Sequence, residues 1–277
     1  MKTVALPNGE RVPALGQGTW NIGDDRARRG AEIAALQCGI ERGLTLIDSA
    51  EMYGDGRAES LVAEAIAGRR DRVFIVSKVL PNHASGKNTL AACEQSLRRL
   101  KTDRIDLYLL HWRGGVPFAE TLEAFLQLKR AGKIRHYGVS NLDLADMREW
   151  WDCAGGDAVA TNQLLYNLTR RGIEWDLLPW LRERRVPVMA YSPFEQARLL
   201  KHKPLVEFAR RHGMTPAQVA LAWLLGHDDM IVIPKSGDVA RVHENAAALE
   251  IGLTAAQRAE LDRLFPPPDG PRALEML

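Results

Sequence analysis

Cysteine is scarce in this chain of 277 residues. Cys38, Cys93 and Cys153 are the only three, they lie far apart, and no C-x-x-C pair occurs. That spacing excludes a disulfide framework and a cysteine zinc site, and it fits a reducing compartment. Cys38 and Cys93 fall among apolar helical positions, where a free thiol acts as a small hydrophobe. No stretch approaches about 18 consecutive apolar residues, so no membrane span is expected. The opening segment, Met1-Lys-Thr-Val-Ala-Leu-Pro-Asn-Gly9, lacks the apolar centre of a signal peptide, and a cytoplasmic location is expected. An excess of one charge is also missing: 37 Lys+Arg against 35 Asp+Glu leave a formal net charge of +2. The basic clusters Arg26-Ala-Arg28-Arg29 and Arg182-Glu-Arg184-Arg185 fall on helical patterns beside acidic residues, with no aromatics interleaved. They read as solvated helix faces, and no nucleic-acid partner is expected. No set of histidines and carboxylates shows metal-ligand spacing, so no metal is expected.

What is present is alternation. Short apolar runs at 14–18, 44–47, 73–77, 105–110, 134–139, 158–161, 186–190 and 230–233 read as strands. Most are continuously apolar, as in strands buried on both faces. Helical patterns lie between them, for example at 28–42, 58–67, 89–100, 121–130 and 175–184, with apolar residues three or four apart. Eight such repeats in about 250 residues have the size of a closed (β/α)8 barrel. A doubly wound sheet is the alternative, but Gly16-Gln-Gly18-Thr-Trp20 lacks the third glycine of G-x-G-x-x-G and opens no helix directly. Ahead of the repeats, Asn8-Gly9 between residues 2–6 and 11–13 is a hairpin signal, and that hairpin is expected to plug the N-terminal mouth of the barrel. Thr215-Pro216 opens an extra helix that ends near Leu225, close behind another at 206–211. A last helix covers 254–264. No linker or low-complexity segment interrupts the pattern, so residues 1–277 read as one domain.

Barrel enzymes carry their chemistry at the C-terminal ends of the strands. The polar residues that end the apolar runs are Asp48, Lys78, His111, Ser140 with Asn141, Gln163, Tyr191 and Lys235. Taken singly, each has a plain reading as a cap, a core histidine or a surface charge. Lys78 alone also fits the Schiff-base lysine of a barrel aldolase. Taken together, Asp48, Lys78 and His111 on one rim, with Tyr53 just past Asp48, suggest a proton donor set. A cation beside a tyrosine favours phenolate and lowers its pKa. A tyrosine so placed can protonate a developing alkoxide. The set suits carbonyl reduction, in which hydride comes from a cofactor and the proton from the protein.

At these residues the sequence strongly resembles the aldo-keto reductase family. Asp48-Ser-Ala-Glu-Met-Tyr-Gly54, Val76-Ser-Lys78, Asp106-Leu-Tyr-Leu-Leu-His111, Gly138-Val-Ser-Asn141, Tyr191-Ser-Pro193 and Ile233-Pro-Lys-Ser236 match its motifs in order. The resemblance runs over nearly the whole chain and is strongest to bacterial reductases of small aldehydes, methylglyoxal included. It implies an NADPH-dependent enzyme with Tyr53 as general acid, His111 orienting the substrate, and Lys78, paired to Asp48, lowering the Tyr53 pKa. It implies that Ser140, Asn141 and Gln163 bond the nicotinamide carboxamide, and that Tyr191, followed by Ser192, stacks on the ring. Gly18, Thr19 and Trp20 would line the first loop, with Trp20 and Trp112 beside the substrate.

For the adenosine end, Lys235, Ser236 and Arg241 supply charge where barrels bind phosphate, after the last strands. Glu244 and Asn245 resemble the family's adenine contacts. Ser49 stands where the family more often has Thr. Gly237 and Asp238 depart from a pattern in which a larger apolar residue and Thr are frequent. Asp238 either faces the phosphate or caps the following helix. A non-catalytic relative of the same fold is a second reading, against which the complete set of Asp48, Tyr53, Lys78 and His111 counts. The expected substrate is a small-molecule aldehyde or α-oxoaldehyde in an open, shallow site, because the loops and the segment after residue 264 are short. The expected working state is a monomer.

Overall fold

The structure is a computed structural model that describes residues 1–277. It opens with an antiparallel hairpin of β1 (Thr3–Ala5) and β2 (Arg11–Pro13), in which Val4 faces Val12. Gly9 sits in the turn at φ 89°, a conformation that glycine enters without a steric penalty. Val4, Leu6 and Val12 are buried.

Eight parallel strands follow in chain order: β3 (Gln17–Gly18), β4 (Leu46–Asp48), β5 (Phe74–Val79), β6 (Ile105–Leu110), β7 (Ile134–Ser140), β8 (Asn162–Leu165), β9 (Val188–Tyr191) and β10 (Met230–Val232). Bridges from Leu15 to Val232 and from Gly18 to Lys235 join the first strand to the last and close the ring. The expected barrel is therefore the observed one. Glu10, beside the hairpin, bonds Arg135 at 2.8 Å and His136 at 2.7 Å at the start of β7, so the hairpin lies across the N-terminal mouth.

The helices are α1 (Arg29–Glu41), α2 (Arg57–Ala65), α3 (Gly86–Leu100), α4 (Phe118–Arg130), α5 (Leu144–Asp152), α6 (Leu177–Glu183), α7 (Lys203–Arg211), α8 (Pro216–Leu225), α9 (Val239–Ala247) and α10 (Ala255–Leu264). Local chemistry sets their starts. Thr215 Oγ1 accepts the Gln218 N–H at 3.2 Å, and Gln218 Oε1 accepts the Thr215 N–H at 3.0 Å, a reciprocal box with Pro216 in the first turn of α8. Thr254 and Gln257 repeat the device at α10. No helix is long and apolar enough to cross a membrane.

The sixth barrel strand differs from its expectation. The apolar pattern puts it at 158–161, whereas β8 is Asn162–Leu165. The apolar run marks where the chain enters the sheet: Ala160 N–H already bonds Tyr137 O at 2.8 Å. Pairing then continues through two buried amides, whose NH2 groups find acceptors inside the barrel, while Asn162 Oδ1 has no partner. Asn162 Nδ2 donates to Leu142 O at 2.8 Å and Gln163 Nε2 to Asp48 Oδ1 at 2.8 Å. Lys78 and Tyr191 likewise lie inside β5 and β9 rather than just beyond them. Strand pairing uses the backbone, so a polar side chain does not end it.

Candidate active site

A cavity of about 900 Å³ opens at the C-terminal end of the strands. One wall of its deep end is Asp48, Tyr53 and His111; Lys235, Ser236, Arg241, Glu244 and Asn245 line the other end. Gly18, Thr19, Trp20, Trp112, Ser140, Asn141, Gln163, Tyr191 and Ser192 lie between them. All the site residues read from the sequence face this one cavity except Lys78, which is wholly buried behind its wall.

The deep end is built from strand ends held in register. Gly18 pairs with Asp48, and Thr19 Oγ1 donates to Asp48 O at 2.9 Å, which fixes the exit of β4. Tyr53 begins a short 3-10 turn directly after β4. Lys78 on β5 places its ammonium beneath both. It donates to Asp48 Oδ2 at 2.9 Å, Ser49 O at 2.8 Å and Tyr53 Oη at 3.2 Å. An ammonium has three protons, and these partners take all of them. The Tyr53 oxygen is therefore an acceptor, and its own proton is free to point into the cavity.

Burial pushes the Tyr53 hydroxyl up, the Lys78 charge pulls it down, Asp48 pushes it up again, and the balance is above the ordinary tyrosine value. This corrects the expected lowering: Lys78 pulls in the expected direction, but the loss of solvent outweighs it. Burial works against the Lys78 ammonium, yet Asp48 and Tyr53 over-compensate and hold its pKa above the usual value. A lysine so protonated, and reached by no solvent, is a poor Schiff-base nucleophile, which removes the aldolase reading. Burial and the Lys78 charge push His111 down to about 2. The imidazole is neutral, its ring centre is 5.8 Å from that of Tyr53, and its Nδ1 is buried without a partner.

The middle of the cavity is a polar ladder. Ser140 Oγ donates to Gln163 O at 2.9 Å, and Asn141 Nδ2 donates to His111 O at 3.2 Å. Tyr191 Oη donates to Asn141 Oδ1 at 3.0 Å. Asn141 sits at φ 55°, in the left-handed region that asparagine tolerates better than most residues. The loop after β9 is strained: Glu195, Gln196 and Ala197 have φ of 51°, 53° and 68°. Buried Glu195 anchors it by accepting from Asn167 Nδ2 at 2.9 Å, Arg170 Nη2 at 2.8 Å and Arg198 Nη2 at 3.0 Å. Such strain persists where surrounding contacts over-determine the backbone.

At the far end, Asp238 caps α9, its Oδ1 accepting the Arg241 N–H at 3.0 Å. The cap is found, and Asp238 also lines the cavity at this end.

Two features were not read from the sequence. Arg28, assigned to a solvated helix face, lines the cavity beside Lys235 and Arg241. The chain after α10 also forms a wall, contrary to the expectation that too little remained. Met276 and Leu277 face the cavity, and the Leu277 N–H lies 3.4 Å from Tyr191 Oη. Arg170 pairs with Glu275 and so ties this tail to the Glu195 loop. Tail length was a poor guide because a few residues that double back suffice.

A model of the aldo/keto reductase family matches residues 14–265. Methylglyoxal reductase YeaE of Escherichia coli (strain K12) is 52% identical over 281 residues, covering 100% of this chain and 99% of that protein. The 9,11-endoperoxide prostaglandin H2 reductase of Trypanosoma cruzi (strain CL Brener) is 32% identical, over 94% of this chain and 90% of its own. Among solved structures, an aldo/keto reductase from Klebsiella pneumoniae in complex with NADP and acetate superposes with a TM-score of 0.97. It is 51% identical and covers 100% of this chain and 99% of its own.

Proposed function

The chain belongs to the aldo/keto reductase family, and from that premise we propose that it reduces small aldehydes and α-oxoaldehydes to alcohols with NADPH. The observation that carries the reading is the Lys78 ammonium: its three hydrogen bonds leave the Tyr53 proton free at the cavity wall, opposite a neutral His111. The substrate class follows the relative at 52% identity, a methylglyoxal reductase, rather than the one at 32%, whose name carries a different substrate.

The cavity suits a long anionic dinucleotide. It runs from the His111 ring at one end to Arg28, Lys235 and Arg241 at the other. When bound, NADPH supplies the hydride. The substrate oxygen sits between Tyr53 Oη and the His111 ring, which orients it. Tyr53 gives its proton to that oxygen as the carbonyl carbon is reduced. The charge left on the Tyr53 oxygen faces the Lys78 ammonium at 3.2 Å, and solvent returns the proton after the alcohol leaves. Ser140, Asn141 and Gln163 would hold the carboxamide of the nicotinamide, with Tyr191 against the ring. Lys235, Ser236 and Arg241 would hold the 2′-phosphate, and Glu244 and Asn245 the adenine.

Residues 1–277 act as one barrel domain. A monomer is the proposed working unit. The test is NADPH oxidation by the purified chain with methylglyoxal as substrate. Turnover that saturates with methylglyoxal supports the proposal; no turnover over a panel of small aldehydes and dicarbonyls contradicts it.

A further inference from the structure

Gly237 is closely covered by side chains of the first loop and α1. A Cβ at this position would lie 2.9 Å from Glu32 Cγ and 3.4 Å from Arg28 Nη2. A larger side chain would therefore crowd the Glu32 side chain first and the Arg28 guanidinium next. Arg28 ends a 3-10 turn (Arg26–Arg28) that Asp25 caps, its Oδ1 accepting the Ala27 N–H at 2.9 Å. The turn leads directly into α1, which packs against α9, so the first loop and the start of α9 border one end of the cavity.

The charges there are unbalanced. Arg29 pairs with Glu64 at 2.5 Å, but Arg28, Lys235 and Arg241 form no ion pair. The nearby carboxylates are otherwise engaged: Glu32 Oε2 accepts the Gly23 N–H at 2.9 Å, and Asp238 Oδ1 accepts the Arg241 N–H. The Lys235 amine is held below its usual pKa, by partial burial first and then by Arg28 and Arg241 against the pull of Glu32. Three cations thus share one end of the cavity, none of them in an ion pair, although the carboxylates of Asp238 and Glu244 line the same end.

We propose that Arg28 is a third phosphate-binding residue, admitted by Gly237, and that this pair sets the preference for a 2′-phosphorylated dinucleotide over its unphosphorylated form. The proposal rests on the cofactor reading above. Arg28 sits over the residue that follows Ser236, in the stretch assigned to the 2′-phosphate, whereas a diphosphate bridge would span the middle of the cavity. A monoester dianion gains from a planar fork in addition to point charge.

The test is equilibrium binding, with no turnover required. NADPH, NADH, adenosine 2′,5′-bisphosphate and AMP are titrated into the wild-type chain, Arg28→Ala, Gly237→Val and the double variant. Loss of one charge-assisted bond weakens binding about ten- to a hundredfold. Arg28→Ala is expected to lose that much for NADPH and adenosine 2′,5′-bisphosphate and almost nothing for NADH and AMP. Gly237→Val is expected to match it, and the double variant to lose no more than either single one. Equal weakening of NADPH and NADH by Arg28→Ala assigns Arg28 to the diphosphate and overturns the proposal, as does no weakening at all. Additive losses in the double variant overturn the role of Gly237. A wild-type chain that binds neither dinucleotide overturns the cofactor reading itself, whereas a wild-type chain that prefers NADPH beside an unaffected Arg28→Ala overturns only the Arg28 assignment.

Discussion

Two protonation states decide what the deep end of the cavity can do. Tyr53 is held above the ordinary tyrosine pKa by burial that outweighs Lys78, so it keeps its proton through neutral pH. His111, pushed down to about 2, does not titrate in the working range. An acid must be protonated to act, so reduction persists below the Tyr53 pKa and falls only above it. The expected kcat profile for reduction is flat from about pH 6 to about pH 9, with no step near the ordinary histidine value of about 6.5. A steady-state pH series checks this, and an inflection near that value would place a charged His111 in the reaction. His111 was legible in the sequence because a polar group ending an apolar run stands out, and Tyr53 through its place just past Asp48, which ends another. Arg28 was not: its neighbours Arg26 and Arg29 are also basic, and its position against Gly237 exists only once the first loop meets the start of α9.

At the scale of elements, the sheet order was readable from alternation alone, but strand limits were not. Hydrophobic runs report burial, whereas pairing of β8 depends on whether Asn162 and Gln163 find partners inside the barrel. The tail escaped notice for a related reason. Its place is set by single ionic contacts, Arg170 with Glu275 and Arg171 Nη1 with Phe265 O at 2.6 Å, that no periodicity announces. Arg170 joins the tail to the strained loop after β9 through Glu195. Arg170→Ala is therefore expected to raise KM for both NADPH and the aldehyde several-fold, with kcat little changed, since no reacting group moves. Steady-state kinetics with each substrate varied in turn measures it. Unchanged KM values would show that the loop and tail hold their places without this link.

Taken as a whole, the molecule uses its hairpin end for closure and its opposite end for chemistry. The cavity is deeper than loop lengths suggested, because Met276 and Leu277 lie beside Tyr191, and Trp20 and Trp112 stand nearby. The expected preference for small substrates then rests on walls rather than on shallowness, since Met276 and Leu277 line the same cavity as Tyr53. The expected order of kcat/KM places methylglyoxal or a nitrobenzaldehyde well above a steroid ketone or a free aldose. A kinetic screen that ranked a steroid first would contradict this shape argument.

The central claim is that Tyr53, freed to donate by the Lys78 hydrogen bonds, protonates the carbonyl oxygen. Tyr53→Phe removes one hydroxyl and keeps the ring. The measurement is single-turnover reduction of methylglyoxal by the NADPH-loaded chain, wild type against Tyr53→Phe, with NADPH affinity determined on the same samples. The account predicts a loss of roughly a hundred- to ten-thousandfold in rate, the share of a general acid, with NADPH affinity nearly unchanged. A phenylalanine variant that binds NADPH and reduces methylglyoxal at close to the wild-type rate would contradict it.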